Sequence, residues 1–108
     1  MVDSANPTPF KQPEDCDDMR DVREGVDATD RELIALLERR FGYMRAAARI
    51  KQSRDTVRDE TRKAEVIRNA SEAAREAGLP HEAIADIWDR LVEASIAYEM
   101  VEWDRIRS

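Results

Sequence analysis

The stretch from Asp17 to Gln52 contains no proline, and its apolar residues recur at helical spacing. Met19, Val22, Val26, Leu33, Leu37, Met44 and Ala48 fall on one stripe at about 100° per residue. A helix of roughly 35 residues is about 50 Å long. Two shorter helices from the same small chain cannot cover such a rod along its whole length. A second copy packed against the stripe would cover it. This one segment therefore predicts an all-α fold and a homodimer.

The remainder of the chain agrees with a single helical domain. Its 108 residues are 39% charged and 6% aromatic, with three glycines and four prolines, a profile that argues against a sheet. Residues 1–13 carry Pro7, Pro9 and Pro13 and little that could form a core, so they read as a flexible arm ahead of a helical domain over residues 14–108. Asp15, Asp17 and Asp18 supply helix-start chemistry. Inside the long helix, Gly25 and Gly42 each cost about 1 kcal/mol relative to alanine, and either suits the close approach of a neighbour.

After Gln52 the pattern breaks at Ser53-Arg54-Asp55-Thr56, and residues 57–61 read as a loop with Asp59 or Thr61 as the next N-cap. A short second helix is expected from about Arg62 to Ala77. Gly78 then takes the C′ position, and Pro80 opens a third helix of medium length, about His81 to Ile106.

Several function classes are disfavoured. A net charge of −6 argues against a sequence-independent grip on nucleic acid. The single cysteine, Cys16, has no internal disulfide partner, and no Cys/His cluster has metal-ligand spacing. Met1 to Phe10 lacks the pattern of a signal peptide, and no apolar run approaches the roughly 20 residues of a membrane span, so a cytoplasmic protein is expected. No glycine-rich phosphate loop or Ser/His/Asp set is present in the sequence.

What remains is a set of polar residues that break the apolar pattern. Arg23, Arg40 and Lys51 interrupt the arc of the first helix. Arg40 and Lys51 are about three turns apart, face the same way and have backbones about 16 Å apart, so together they can hold the ends of one small anion. Arg23 lies about 25 Å from Arg40 on the other flank and reaches such a ligand only from a second subunit. In the third helix the seam is Ile84, Trp88, Leu91, Val92, Ile96 and Trp103, with Ser95 and Glu99 near its centre.

Each residue has an ordinary explanation. A flank cation usually snorkels or pairs, here with Asp27 or Asp30, and a core serine usually bonds back to its own helix. The tryptophans read as core or interface residues. A central carboxylate is costly to bury unless paired or protonated. That Arg40, Lys51, Ser95 and Glu99 break the pattern together is the functional signal.

At these residues the chain resembles the all-helical chorismate mutase family, including its isochorismate pyruvate-lyase branch. The resemblance runs from Pro13 to Trp103. Pro13-Glu14-Asp15-Cys16, Arg23-Glu24, Asp27 and Asp30 look like the lyase branch and its mutase-like relatives, while Arg39-Arg40 and Ala46-Ala47-Ala48-Arg49-Ile50-Lys51 match the rest of the long helix. The resemblance implies an intertwined homodimer of three-helix chains with shared active sites. It implies that Arg23 of one chain and Arg40 of the other bind the two carboxylates of the substrate, and that Lys51 donates to the ether oxygen and a carboxylate. Arg62 and Ser95 would line the pocket, and Arg58-Asp59 would lie on the loop that closes it, with Asp59 matching a residue that meets the ring hydroxyl.

Two positions depart from the best-known bacterial pattern. Lys63 stands where that pattern has a glutamate touching the ring hydroxyl, and Glu99 stands where it has a glutamine beside the ether oxygen. Fungal mutases also use glutamate at the second position.

The implied reaction is the rearrangement of chorismate to prephenate, which needs no metal or cofactor. Lys51, Glu99 and Arg40 are the expected catalytic residues. Glu99 donates a hydrogen bond only when protonated, so activity is expected to fall as pH rises. Cleavage of isochorismate to salicylate and pyruvate is the alternative enzyme, and a non-catalytic dimeric helical module is the alternative of a different class.

Overall fold

The computed structural model describes residues 10–108. Among them the only regular elements are helices: α1 (Met19–Ile50), α2 (Glu60–Glu76) and α3 (His81–Ile106), with short 3₁₀ turns at Pro13–Asp15 and Arg54–Thr56. The long, short and medium helices are 32, 17 and 26 residues, as the pattern predicts. The chain divides within α1, between Arg40 and Phe41, into two compact units.

In the first unit, the chain enters α1 through a carboxylate-rich start. Asp18 Oδ1 accepts the backbone N–H of Asp21 at 2.9 Å, and Asp21 Oδ2 accepts that of Asp17 at 3.1 Å. The arm expected over residues 1–13 lies outside the described residues as far as residue 9. Beyond that, Lys11 pairs with Asp17 and Asp21, each at 3.1 Å, and Pro13 opens a 3₁₀ turn. Of the two glycines within α1, Gly25 is the one this segment passes. A Cβ there would sit 3.7 Å from the Lys11 carbonyl oxygen. Along this part of α1, Ala28 is buried, but Met19, Val22, Val26, Leu33, Ile34 and Leu36 are exposed.

In the second unit, α2 packs on α3 and buries Ala74 and Val92, while Val57 is buried in the loop before α2 and Ala48 near the end of α1. Asp59 is the α2 N-cap. Its side chain accepts the Arg62 N–H at 3.0 Å, which starts the helix at Glu60, two residues before Arg62. At the other end Gly78 adopts φ +74°, and Leu79 N–H bonds to Ala74 O while Gly78 N–H bonds to Arg75 O. That pair is the Schellman arrangement, and it makes the tight corner into α3. Phe41 meets Tyr98 edge to face at 5.0 Å, and Arg45 donates to the Tyr98 hydroxyl at 2.9 Å.

Candidate active site around Lys51

Lys51 is the first residue beyond α1, and its N–H still bonds to Ala47 O at 2.9 Å. Its side chain turns toward α3. The ammonium lies 2.8 Å from Glu99 Oε2 and 3.3 Å from the carbonyl oxygen of Val57. Glu99 is 4% exposed, so the pairing expected of a carboxylate on an apolar seam is present. Glu99 Oε2 is shielded from water yet receives no well-directed hydrogen bond, so its approach to Lys51 is a charge contact. A cation and a carboxylate with unused hydrogen-bonding capacity are therefore held together at the edge of the core.

Ser95 lies one turn before Glu99 on the same face of α3 and is buried. Its hydroxyl donates to Leu91 O at 2.7 Å, the back-bond expected of a helical serine.

The other candidates of this unit form a second group. Arg58 binds Glu93 with both Nη atoms, at 3.1 and 2.7 Å, and also meets Glu60 at 2.8 Å. Lys63 pairs with Glu93 at 2.6 Å and with Asp89 at 3.1 Å. The Arg58 guanidinium, followed by the Lys63 ammonium, holds the Glu93 carboxyl well below the usual carboxylate range, at about 2. Glu93, then Asp89, pushes Lys63 up in turn. Arg62 is exposed and pairs with Glu65, and Asp59 is occupied by its cap. Arg23, exposed, and Arg40, partly buried, belong to the first unit.

The structure also brings in residues that were not singled out as site residues in the sequence. Trp103 Nε1 donates to the Lys51 carbonyl oxygen at 3.0 Å, and Arg107 Nη2 donates to the same oxygen at 2.7 Å. The signal was a repeat of four: Ser95, Glu99, Trp103 and Arg107 continue one row along α3 and its C-cap. Glu93 and Asp89 give no such signal, because exposed acids on a charged helix are commonplace.

No helix among the described residues is long and apolar enough to cross a membrane. Comparison with known proteins finds the isochorismate pyruvate lyase of Pseudomonas aeruginosa, 30% identical over 98 residues, which cover 91% of this chain and 97% of that protein. Residues 22–100 match the chorismate mutase type II family. Lys51, Ser95 and Glu99 all lie within that span, and the chain belongs to the chorismate mutase type II family.

Proposed function

We propose that this chain is a chorismate mutase, converting chorismate to prephenate at a site built on Lys51 and Glu99. The observation that carries the reading is the Lys51–Glu99 pair. A fixed ammonium and a buried carboxylate stand beside one another, with the lysine one residue past α1 and within the segment that matches the family. The reaction breaks a C–O bond to the enolpyruvyl group while a C–C bond forms, and negative charge grows on the ether oxygen. An ammonium already in place stabilises that charge with little reorganisation. Holding the enolpyruvyl group folded over the ring supplies the rest, by keeping the reacting carbons close.

On this reading Lys51 donates to the ether oxygen and Glu99, when protonated, donates beside it. Ser95 lines the site. Arg23 and Arg40 are assigned to the two carboxylates by resemblance. Arg58, Asp59, Arg62 and Lys63 shape the loop and the start of α2 through their cap and ion pairs.

A specific observation favours a second reading. The lyase relative matches over nearly its whole length, and Asp59 and Arg62, which the resemblance places at the ring hydroxyl and along the pocket, are engaged in a cap and a surface pair. Cleavage of isochorismate breaks the same kind of ether bond and makes the same demand on Lys51. Incubation of the purified protein with each substrate separately decides between them. Prephenate from chorismate without salicylate from isochorismate supports the mutase, and the reverse supports the lyase. Turnover of neither defeats both readings.

We further propose that the site is completed in a homodimer. The apolar side chains left open along α1, including Val26, Leu33, Ile34 and Leu36, support this, as does the distance of Arg23 from Arg40 along the helix. Sedimentation should give a particle of twice the 12.4 kDa chain mass. A particle of one chain mass at assay concentration would count against shared sites.

A further inference from the structure

The last carbonyls of a helix have no partner within it. At the end of α1, two of these carbonyls and that of the next residue are met by side chains from more than fifty residues later. Arg107 Nη1 donates to Ala48 O at 3.0 Å, and its Nη2 donates to Arg49 O at 3.4 Å and to Lys51 O at 2.7 Å. The Arg107 guanidinium lies over the Trp103 ring, 4.2 Å from its centroid, while the indole N–H of that ring donates to Lys51 O at 3.0 Å.

An ordinary C-terminal cap would serve the carbonyls of the final helical turn. Here the carbonyl that receives two donors is that of Lys51, one residue past the helix, and both of its lone pairs are used. Lys51 is thereby held at both ends. Its ammonium is set by Glu99, and its backbone is set by Trp103, one turn further along the same rigid helix. Arg107, one turn further still, fixes the Trp103 ring by stacking on it. The row on α3 thus fixes where the Lys51 backbone starts and where its ammonium ends.

We propose that Arg107 and Trp103 are positioning residues for Lys51, holding the carbonyl at the end of α1 so that the ammonium is presented at a fixed place. The inference deepens the function proposed above, since it takes Lys51 as the donor to the ether oxygen. Neither residue touches the substrate on this account. The planar fork of arginine suits the task because its donors are fixed relative to one another, whereas those of an ammonium rotate.

The test uses the whole chain and two readouts. The first is the rate at which acetic anhydride in trace amount acetylates each lysine, followed by mass spectrometry. The chain has three lysines, Lys11, Lys51 and Lys63, so two serve as internal references. Arg107→Ala should speed acetylation of Lys51 several-fold while leaving Lys11 and Lys63 at their wild-type rates. Arg107→Lys, which keeps the charge but not the fork, should fall between wild type and Arg107→Ala. Trp103→Phe removes the indole N–H and shrinks the ring under Arg107, should shift Lys51 in the same direction by less, and carries the comparison if Arg107→Ala does not fold.

The second readout is turnover. Arg107→Ala should lower kcat by about ten- to a hundredfold, as expected when a reacting group is displaced by a fraction of an ångström to 1 Å, with a smaller change in KM. An unchanged Lys51 rate in Arg107→Ala, or Lys51 and Lys63 rising together as in general loosening, overturns the proposal. So does an Arg107→Lys variant indistinguishable from wild type. If the wild-type protein turns over neither substrate, the functional reading falls, and the acetylation pattern still decides whether the clamp holds Lys51.

Discussion

Two groups of charges in the second unit use similar residues and end in opposite states. Around Glu93, two cations and a carboxylate are partly exposed, and each finds directed partners: Arg58 in a two-pronged grip, Lys63 at 2.6 Å. Around Glu99, a lysine faces a carboxylate oxygen, Oε2, that is shielded from water and lacks a directed hydrogen bond. The first group is saturated, and it ties the loop before α2 and the start of α2 to α3. The second has capacity left over, and a ligand with an acceptor for Lys51 and a contact for Glu99 would use it. A saturated cluster serves the fold, whereas an unsaturated one is suited to chemistry.

Substitutions in the two groups should separate along that line. The largest effect is expected at Lys51. Lys51→Ala should reduce kcat by about a hundred- to a thousandfold, the usual loss of one donor to a developing oxyanion. Glu99→Gln should remain active, because the amide still donates a hydrogen bond. Steady-state kinetics checks both. A Lys51→Ala enzyme with wild-type kcat, or a Glu99→Gln enzyme without activity, would erase the contrast.

The smallest effect on turnover is expected at Glu93, where the consequence is one of stability. The Glu93 carboxyl is held at about 2 in the folded chain, against an ordinary value of 4.5. A carboxyl depressed on folding contributes stability that is present above its unfolded value and is lost as pH falls through the folded one. Wild type should therefore lose stability between about pH 4.5 and pH 2. Glu93→Gln should be less stable at neutral pH and lose less over that acid window. Asp21 and Asp104 are also held low, so the difference between variant and wild type in urea unfolding at several pH values is the informative quantity.

Much of the architecture was legible in the sequence because local chemistry sets it. The proline-free run gave α1 to within two residues at each end, Asp59 rather than the other cap candidate, Thr61, starts α2, and Gly78 marked its end with the left-handed φ that glycine favours. The site was legible only where a residue broke a pattern. Glu99 on an apolar seam called for a partner or a proton, and Lys51 stands beside it as a partner. Glu93 could not be found this way, since an acid on a charged face breaks nothing. Arg107 escaped for a different reason: its partners are backbone carbonyls, and a backbone acceptor leaves no trace in residue identity. Arg23 and Arg40 rest on the family resemblance together with helical reach.

The clamp on Lys51 also bears on where this domain can be cut. The family match closes at residue 100, whereas the donors to the Lys51 carbonyl are at Trp103 and Arg107. A chain trimmed to the matched segment would keep Lys51, Ser95 and Glu99, yet leave the end of α1 without either side-chain donor. On the proposed role of Arg107, a working version of this domain must run at least to residue 107, beyond the edge of the family match.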